Sequence, residues 1–249
     1  MGSLLQVEGL HKVYGDLEAV KGISFDIHKG EIVGFIGPNG AGKSSTIHMI
    51  STIVDTDRGE VFFEGQSTAE CERAFKRSLG VVPQDIALFS DLTAYSNVKF
   101  FCSLYGVKGA QLKAYAKEAL EKVGLWDRKD DYPGSFSGGM KRRLNIACSI
   151  AHKPKLLIMD EPTVGIDPQS RHRILELTKQ LVEEQGIAVI YTSHYMEEIE
   201  AICSRLIMID HGVIIEQGST EELTQKYFSQ GLHSLEDIFL HVTGEALRD

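Results

Sequence analysis

The stretch Gly37, Pro38, Asn39, Gly40, Ala41, Gly42, Lys43, Ser44, Ser45 constrains this chain more than any other. It fits G-x-x-x-x-G-K-[ST], follows an apolar β-branched run at 31–36 and opens a helical pattern at 42–51. That strand–loop–helix context separates a phosphate-binding loop from a chance glycine-rich turn. Glycines let successive backbone N–H groups turn inward around an anion. The helix that follows aims the positive end of its dipole at the same point. Lys43 then reaches the β- and γ-phosphates of a nucleotide, and the Ser44 hydroxyl is placed to ligate Mg²⁺.

A phosphoryl-transfer site also needs an acid to hold the metal and a group to orient water. The apolar run LLIM at 156–159 ends in Asp160 and Glu161. Ligands of open α/β sheets sit beyond the carboxyl ends of strands, where these two residues fall. Asp160 is expected to hold the metal through its water shell. Glu161, one position later, is expected to polarise the attacking water as the catalytic base.

The rest of the chain supplies an α/β frame for these motifs. Strands are expected at 4–8, 22–27, 31–36, 60–64, 79–82, 156–160, 188–192, 206–210 and 213–216. Helices are expected at 42–51, 94–105, 110–123, 138–152, 168–185, 196–202 and 220–228. Late strands such as AVIYT are apolar throughout, as parallel strands covered on both faces are. The early strands lie close together with short turns, which suits an antiparallel β subdomain on one flank. Residues 90–153 carry only helical patterning. The fold class read from this is α/β: a P-loop core with a mostly parallel sheet, a flanking antiparallel β subdomain and an inserted helical subdomain. Residues 1–228 form the main domain. Residues 229–249 form a helical tail whose Leu235, Ile238, Phe239 and Val242 have amphipathic spacing and pack it back on that domain.

Composition narrows the function classes. With 43% hydrophobic and 24% charged residues the chain is an ordinary folded protein. Its net charge is 26 − 35 = −9, which argues against non-specific nucleic-acid or anionic-lipid binding. Cys71, Cys102, Cys148 and Cys203 lack metal or redox spacing and read as reduced, packed thiols. No apolar run approaches the ~18–20 residues that span a bilayer, and the opening MGSLLQVEGL lacks the features of a secretory leader. A membrane role is therefore expected through a partner.

SFSGGMKRR at 135–143 brings in a third motif. Together with the phosphate loop and LLIMDEP, it makes the chain resemble, nearly end to end, the ATP-binding subunit of an ABC transporter. The resemblance implies that Ser137, Gly138 and Gly139, at a helix N-terminus, cap the γ-phosphate of ATP held by a partner subunit. It implies that Tyr14 stacks on adenine and that Gln84 in VVPQD senses Mg²⁺ and connects to the membrane partner. Asp167 in GIDP is implied to cross the dimer interface, and His194 in TSHYMEE to contact the γ-phosphate. Glu161, His194, Gln84 and Lys43 are thereby the catalytic set. Ser44, Gln84 and Asp160 are the metal set, with ATP and Mg²⁺ as cofactors.

Two departures from the family pattern stand out. Phe136 and Met140 flank the signature where Leu and Gln are usual, and Val164-Gly165 precede the crossing loop where Ser-Ala is usual. SGGMKRRLNIA, EPTVGIDP, TSHYMEE, ALFSDLTAYSNVKFFCSLYGV and the tail SLEDIFLHVTGEALRD resemble the type-2 exporter branch, which moves drugs, antibiotics, lipids or polysaccharides. The resemblance implies a permease partner, a second ATPase subunit in a homo- or heterodimer, and a place on the cytoplasmic face of the cell membrane. Phe89, Leu92, Tyr95 and Phe100 are expected to offer the permease an apolar groove. Two alternatives share the catalytic motifs: an importer ATPase subunit, and a soluble ATPase acting on nucleic acid or ribosomes. The net charge and the single phosphate loop disfavour the second.

Overall fold

The computed structural model describes residues 2–244, so the last five residues of the expected tail lie outside the described residues. The chain divides into two compact units, Met1–Phe75 with Ala188–Asp249, and Lys76–Ile187.

The first unit holds two sheets. Strands β1 (Leu5–Tyr14), β2 (Leu17–Ile27), β4 (Arg58–Phe63) and β5 (Gln66–Ser67) form an antiparallel sheet in the order β2-β1-β4-β5. Strands β3 (Ile32–Ile36), β8 (Ala188–Tyr191), β9 (Arg205–Asp210) and β10 (Val213–Ser219) run in the order β10-β9-β3-β8. β3 is parallel to both β8 and β9, while β10 is antiparallel to β9. Every residue of β3 is buried, as its apolar IVGFI sequence requires of a strand covered on both faces.

Helices of this unit among the described residues include α1 (Lys43–Ile50), α7 (Met196–Ile202), α8 (Thr220–Phe228) and α9 (Leu235–Thr243). α9 starts at a capping box, in which Ser234 accepts from the Asp237 N–H and Asp237 accepts from the Ser234 N–H. It ends at Gly244, whose φ of 69° suits a residue without Cβ. Leu235, Ile238 and Phe239 are buried, each worth about 1.5–3 kcal/mol of hydrophobic burial. They pack α9 against α7, α8 and β10.

In the second unit, β6 (Leu79–Val82) pairs in parallel with β7 (Leu156–Met159), in register from Leu79↔Leu156 to Val82↔Met159. Between them the described residues form no strand; α3 (Ala94–Leu104), α4 (Gly109–Lys122) and α5 (Gly138–Ile150) fill the interval. α6 (Pro168–Gln185) follows β7. Asn97 is fully buried in α3 and closes the loop before it, donating to the Phe89, Leu92 and Thr93 carbonyls and accepting from the Phe89 N–H. At the other end of the unit, His152 stacks on Tyr105 at 3.5 Å.

Four elements depart most from the sequence-based expectation. β1 runs on to Tyr14 and β2 begins at Leu17, because main-chain pairing continues through polar positions as far as Tyr14↔Leu17. Helix α2 (Glu72–Ser78) and the two-residue β5 are additional. α2 buries only Phe75, which stacks on Phe63 with ring centroids 5.1 Å apart, too little apolar surface for a legible period. Cys102, Cys148 and Cys203 are buried and Cys71 half-buried, all as free thiols, and burial pushes the Cys102 thiol up to about 11. No helix among the described residues is long and apolar enough to cross a membrane.

Candidate nucleotide site

In the first unit the phosphate loop connects β3 to α1, and two of its glycines are sterically required. A Cβ on Gly37 would lie 2.1 Å from the Ile209 carbonyl oxygen. One on Gly42 would lie 2.5 Å from the Ala19 carbonyl oxygen, at a φ of 106° that disfavours any side chain. Gly42 is also the N-cap of α1, and no side chain caps that end. A helix start of this kind suits an anion. Gly37, Pro38 and Ala41 are buried, Asn39 and Gly40 exposed. Lys43 is buried too, and its Nζ donates to the Gly37 carbonyl at 2.6 Å and the Pro38 carbonyl at 3.0 Å. The ammonium is therefore folded back over the loop that would receive the phosphates. Ser44 is exposed and Ser45 half-buried at the same helix start.

Tyr14 ends β1 with 43% of its surface exposed, and the Lys12 ammonium lies 5.5 Å from its ring centre. Lys12 is itself fixed by Asp57 at 3.0 Å. The Val13 N–H, donating to Asp57 at 2.6 Å, and then Lys12 hold that carboxyl below its ordinary range. One aromatic ring is thus held at the strand end, open to a flat ligand.

His194 follows β8 in a half-buried loop. Sequence reasoning missed what anchors that loop. Glu198, 1% exposed, accepts from the Tyr191 hydroxyl at 2.9 Å and the Ser193 hydroxyl at 2.8 Å. Ser193 in turn accepts from the Tyr195 N–H at 3.0 Å. The residues on both sides of His194 are therefore tied to one buried carboxylate. The available signal was an acidic residue at an apolar helical position of MEEIEAI, between Met196 and Ile202.

In the second unit β7 delivers Asp160 and Glu161, both half-buried. The Asp160 N–H donates to the Val82 carbonyl at 2.9 Å, so the ladder with β6 continues to the carboxylates. Glu161 sits at φ 45°, a left-handed conformation rare outside glycine. Its Oε2 accepts from the Gln84 amide at 2.7 Å. The structure thus brings together two residues far apart in the chain and both expected at the reacting end of a nucleotide.

Ser137 caps α5 by accepting from the Met140 N–H at 3.3 Å, leaving Ser137 and Gly138 exposed. Gly139, next along the helix start, is set differently from these two. It is buried, and a Cβ there would lie 2.1 Å from the Ser170 hydroxyl oxygen. Its glycine is a packing requirement between the starts of α5 and α6. Asp167 caps α6 by accepting from the Ser170 N–H at 2.9 Å, and its bonds with Ser170 hold its carboxyl below the usual range. Phe136 is buried beneath the Arg128 guanidinium, so the unusual aromatic at the signature is a core residue.

Within the second unit, the Asp160 carboxylate is an oxygen donor of the hard kind that divalent cations such as Mg²⁺ take.

Comparison with known proteins follows this geometry. The ABC transporter family profile matches residues 20–164. The linearmycin resistance ATP-binding protein LnrL of Bacillus subtilis (strain 168) is 51% identical over 223 residues, covering 90% of this chain and 71% of that protein. The doxorubicin resistance ATP-binding protein DrrA of Mycobacterium tuberculosis (strain CDC 1551 / Oshkosh) is 34% identical over 245 residues, covering 98% and 71%. Among solved structures, a dimeric ATP-binding cassette in a post-hydrolysis state with ADP and Pi superposes with a TM-score of 0.77 at 27% identity, covering 86% of this chain and 98% of that one.

Proposed function

Because the chain belongs to the ABC transporter family and is an ATP-binding and ATP-hydrolysing subunit of such a transporter, we propose that it powers export of a drug- or antibiotic-like cargo through a separate membrane permease. The observation that carries this reading is the 51% identity to a linearmycin resistance protein over 90% of the chain. The 34% identity to a doxorubicin resistance protein supports it. Membrane attachment at the cytoplasmic face follows from the permease partner.

In this reading two subunits close around two ATP molecules. Residues 37–45 of one chain hold the β- and γ-phosphates, Lys43 neutralising their charge, and Tyr14 stacks on the adenine. Ser137 and Gly138 of the second chain approach the γ-phosphate with a helix N-terminus. Ser44, Gln84 and Asp160 are the residues that would hold Mg²⁺, which when bound would supply neutralisation of the charge developing on the phosphates. Glu161 orients and deprotonates the attacking water, and the bond from Gln84 holds its carboxylate in place. His194, steadied by Glu198, contacts the γ-phosphate, and Asp167 lies at the subunit interface. ATP favours the closed pair because it binds that state better than the open one, and hydrolysis removes the preference.

Exposed Phe89 and Phe100, edge to face at 4.8 Å, support the permease-facing surface. Leu92 and Tyr95 beside them are half-buried and narrow it. The test is a tagged pull-down from detergent-solubilised native membranes with mass spectrometry of the retained chains. A multispan protein is the expected companion. Recovery of ribosomal or DNA-repair proteins alone overturns the transport reading and leaves the ATPase chemistry.

A further inference from the structure

Among the described residues β6 is the end strand of its ladder, paired with β7 alone. Its other edge is met by side chains rather than by a strand. Ser149 donates from α5 to the Val81 carbonyl at 2.7 Å, and His152, just past the end of α5, bonds the Leu79 carbonyl at 3.0 Å. Arg142, 4% exposed, continues the row beyond the strand. Its two terminal nitrogens donate to the Pro83 carbonyl at 2.7 Å and the Gln84 carbonyl at 2.5 Å. Carbonyls of residues 79, 81, 83 and 84 are thus held by one side of α5 and its end. At the strand the bonds stabilise an edge. At Arg142 they do more, because the carbonyls belong to the segment whose side chain grips Glu161.

The same helix starts at Ser137, five residues before Arg142 and about one and a half turns away. We propose that Arg142 is a positioning residue that makes the Gln84 segment and the first turn of α5 move as one body, so that a displacement of that segment is delivered to Ser137 and Gly138. A guanidinium is suited to this because its planar fork holds two carbonyls in a fixed relation. An ammonium is a point donor on a flexible stem. The inference rests on the reading of Gln84 and Ser137 as groups of the ATP site.

The experiment uses the purified 249-residue chain with MgATP, comparing wild type, Arg142→Lys, Gln84→Ala, Ser137→Ala, Ser149→Ala and the Arg142→Lys/Gln84→Ala double variant. Arg142→Lys is expected to lower kcat about tenfold with KM for ATP within about twofold, the pattern of a lost transition-state arrangement. The double variant is expected to be no slower than Gln84→Ala alone, since the two changes break one connection. Hydrogen exchange in Arg142→Lys should rise together at amides 84–87 and 138–141. Ser149→Ala cuts a bond of the same row at the strand, and should lower Tm while leaving kcat and exchange at 84–87 unchanged. Wild-type kcat in Arg142→Lys overturns the inference. So do fully additive losses in the double variant, or a Ser149→Ala profile matching Arg142→Lys. If Gln84→Ala and Ser137→Ala both hydrolyse ATP normally, the site reading itself fails. If they are impaired and Arg142→Lys is not, only the coupling fails.

Discussion

The starts of α1 and α5 use the same physics and end in different states of completion. At α1 Gly37, Pro38, Ala41 and Lys43 are buried, Gly37 and Gly42 press against carbonyl oxygens, and Lys43 is folded over the loop by hydrogen bonds to two carbonyls. An anion arriving there meets amides and a cation already in place. At α5, Ser137 and Gly138 face solvent, with one 3.3 Å capping bond and no lysine among the capping contacts. The first is a receptor complete within one unit, and the second is half of one. Affinity for nucleotide should therefore reside in the α1 loop, and control of turnover in the α5 turn and the carboxylates of its unit.

The sharpest test of that division is Glu161→Gln. Loss of a general base costs about 10²–10⁴-fold, so turnover should nearly vanish while ATP binding, measured by fluorescent-nucleotide titration, stays within about twofold. Wild-type turnover would remove Glu161 from its role. The next effect is on stability and belongs to the α5 unit alone. Burial, opposed by the hydrogen bond to Leu79, lowers the His152 pKa from 6.5 to about 4. Between those values the unfolded chain binds a proton that the folded chain does not. Stability is then complete above about pH 6.5 and falls as pH drops toward 4, by about 3 kcal/mol in all. Urea unfolding followed through Trp126, the single tryptophan and a residue of this unit, should show that slope. His152→Phe should flatten it.

Lys43→Ala comes third. Removing a charge-assisted contact to phosphate should weaken ATP binding about a hundredfold by calorimetry, and unchanged affinity would break the comparison at its first half. The smallest effect concerns the packing beneath the half-receptor. Gly139→Ala forces a Cβ onto Ser170 and should cost about 1–3 kcal/mol in thermal unfolding. Adding Ser170→Gly should restore most of the loss. A Gly139→Ala protein as stable as wild type would return Gly139 to the role of an open amide.

The parts legible in the sequence were those whose chemistry is local. A strand, a glycine loop and a lysine are contiguous, so 37–45 could be read as one object, and the capped, periodic α6 and α9 likewise. Fully apolar β7 and β8 revealed buried parallel strands by the lack of alternation. What escaped was set by distant partners. Gly139 looks like a helix-start glycine until Ser170 is seen against it. Glu198 resembles any acidic residue of a helix until two hydroxyls converge on it. Arg142 is one of three consecutive basic residues, and nothing in KRR says that the middle one is buried on two carbonyls. α2 was silent because a single buried phenylalanine makes no period.

The left-handed backbone at Glu161 has a consequence for how such a chain changes over generations. A non-glycine residue there carries about 1–2 kcal/mol of steric cost that glycine would relieve. Stability and catalysis therefore pull this codon in opposite directions. A library of variants selected only for heat resistance should enrich glycine at 161, and one selected for ATP turnover should keep glutamate. Retention of glutamate under heat selection would mean that the bond from Gln84, together with the entropy glycine adds to the unfolded chain, outweighs the backbone cost at 161.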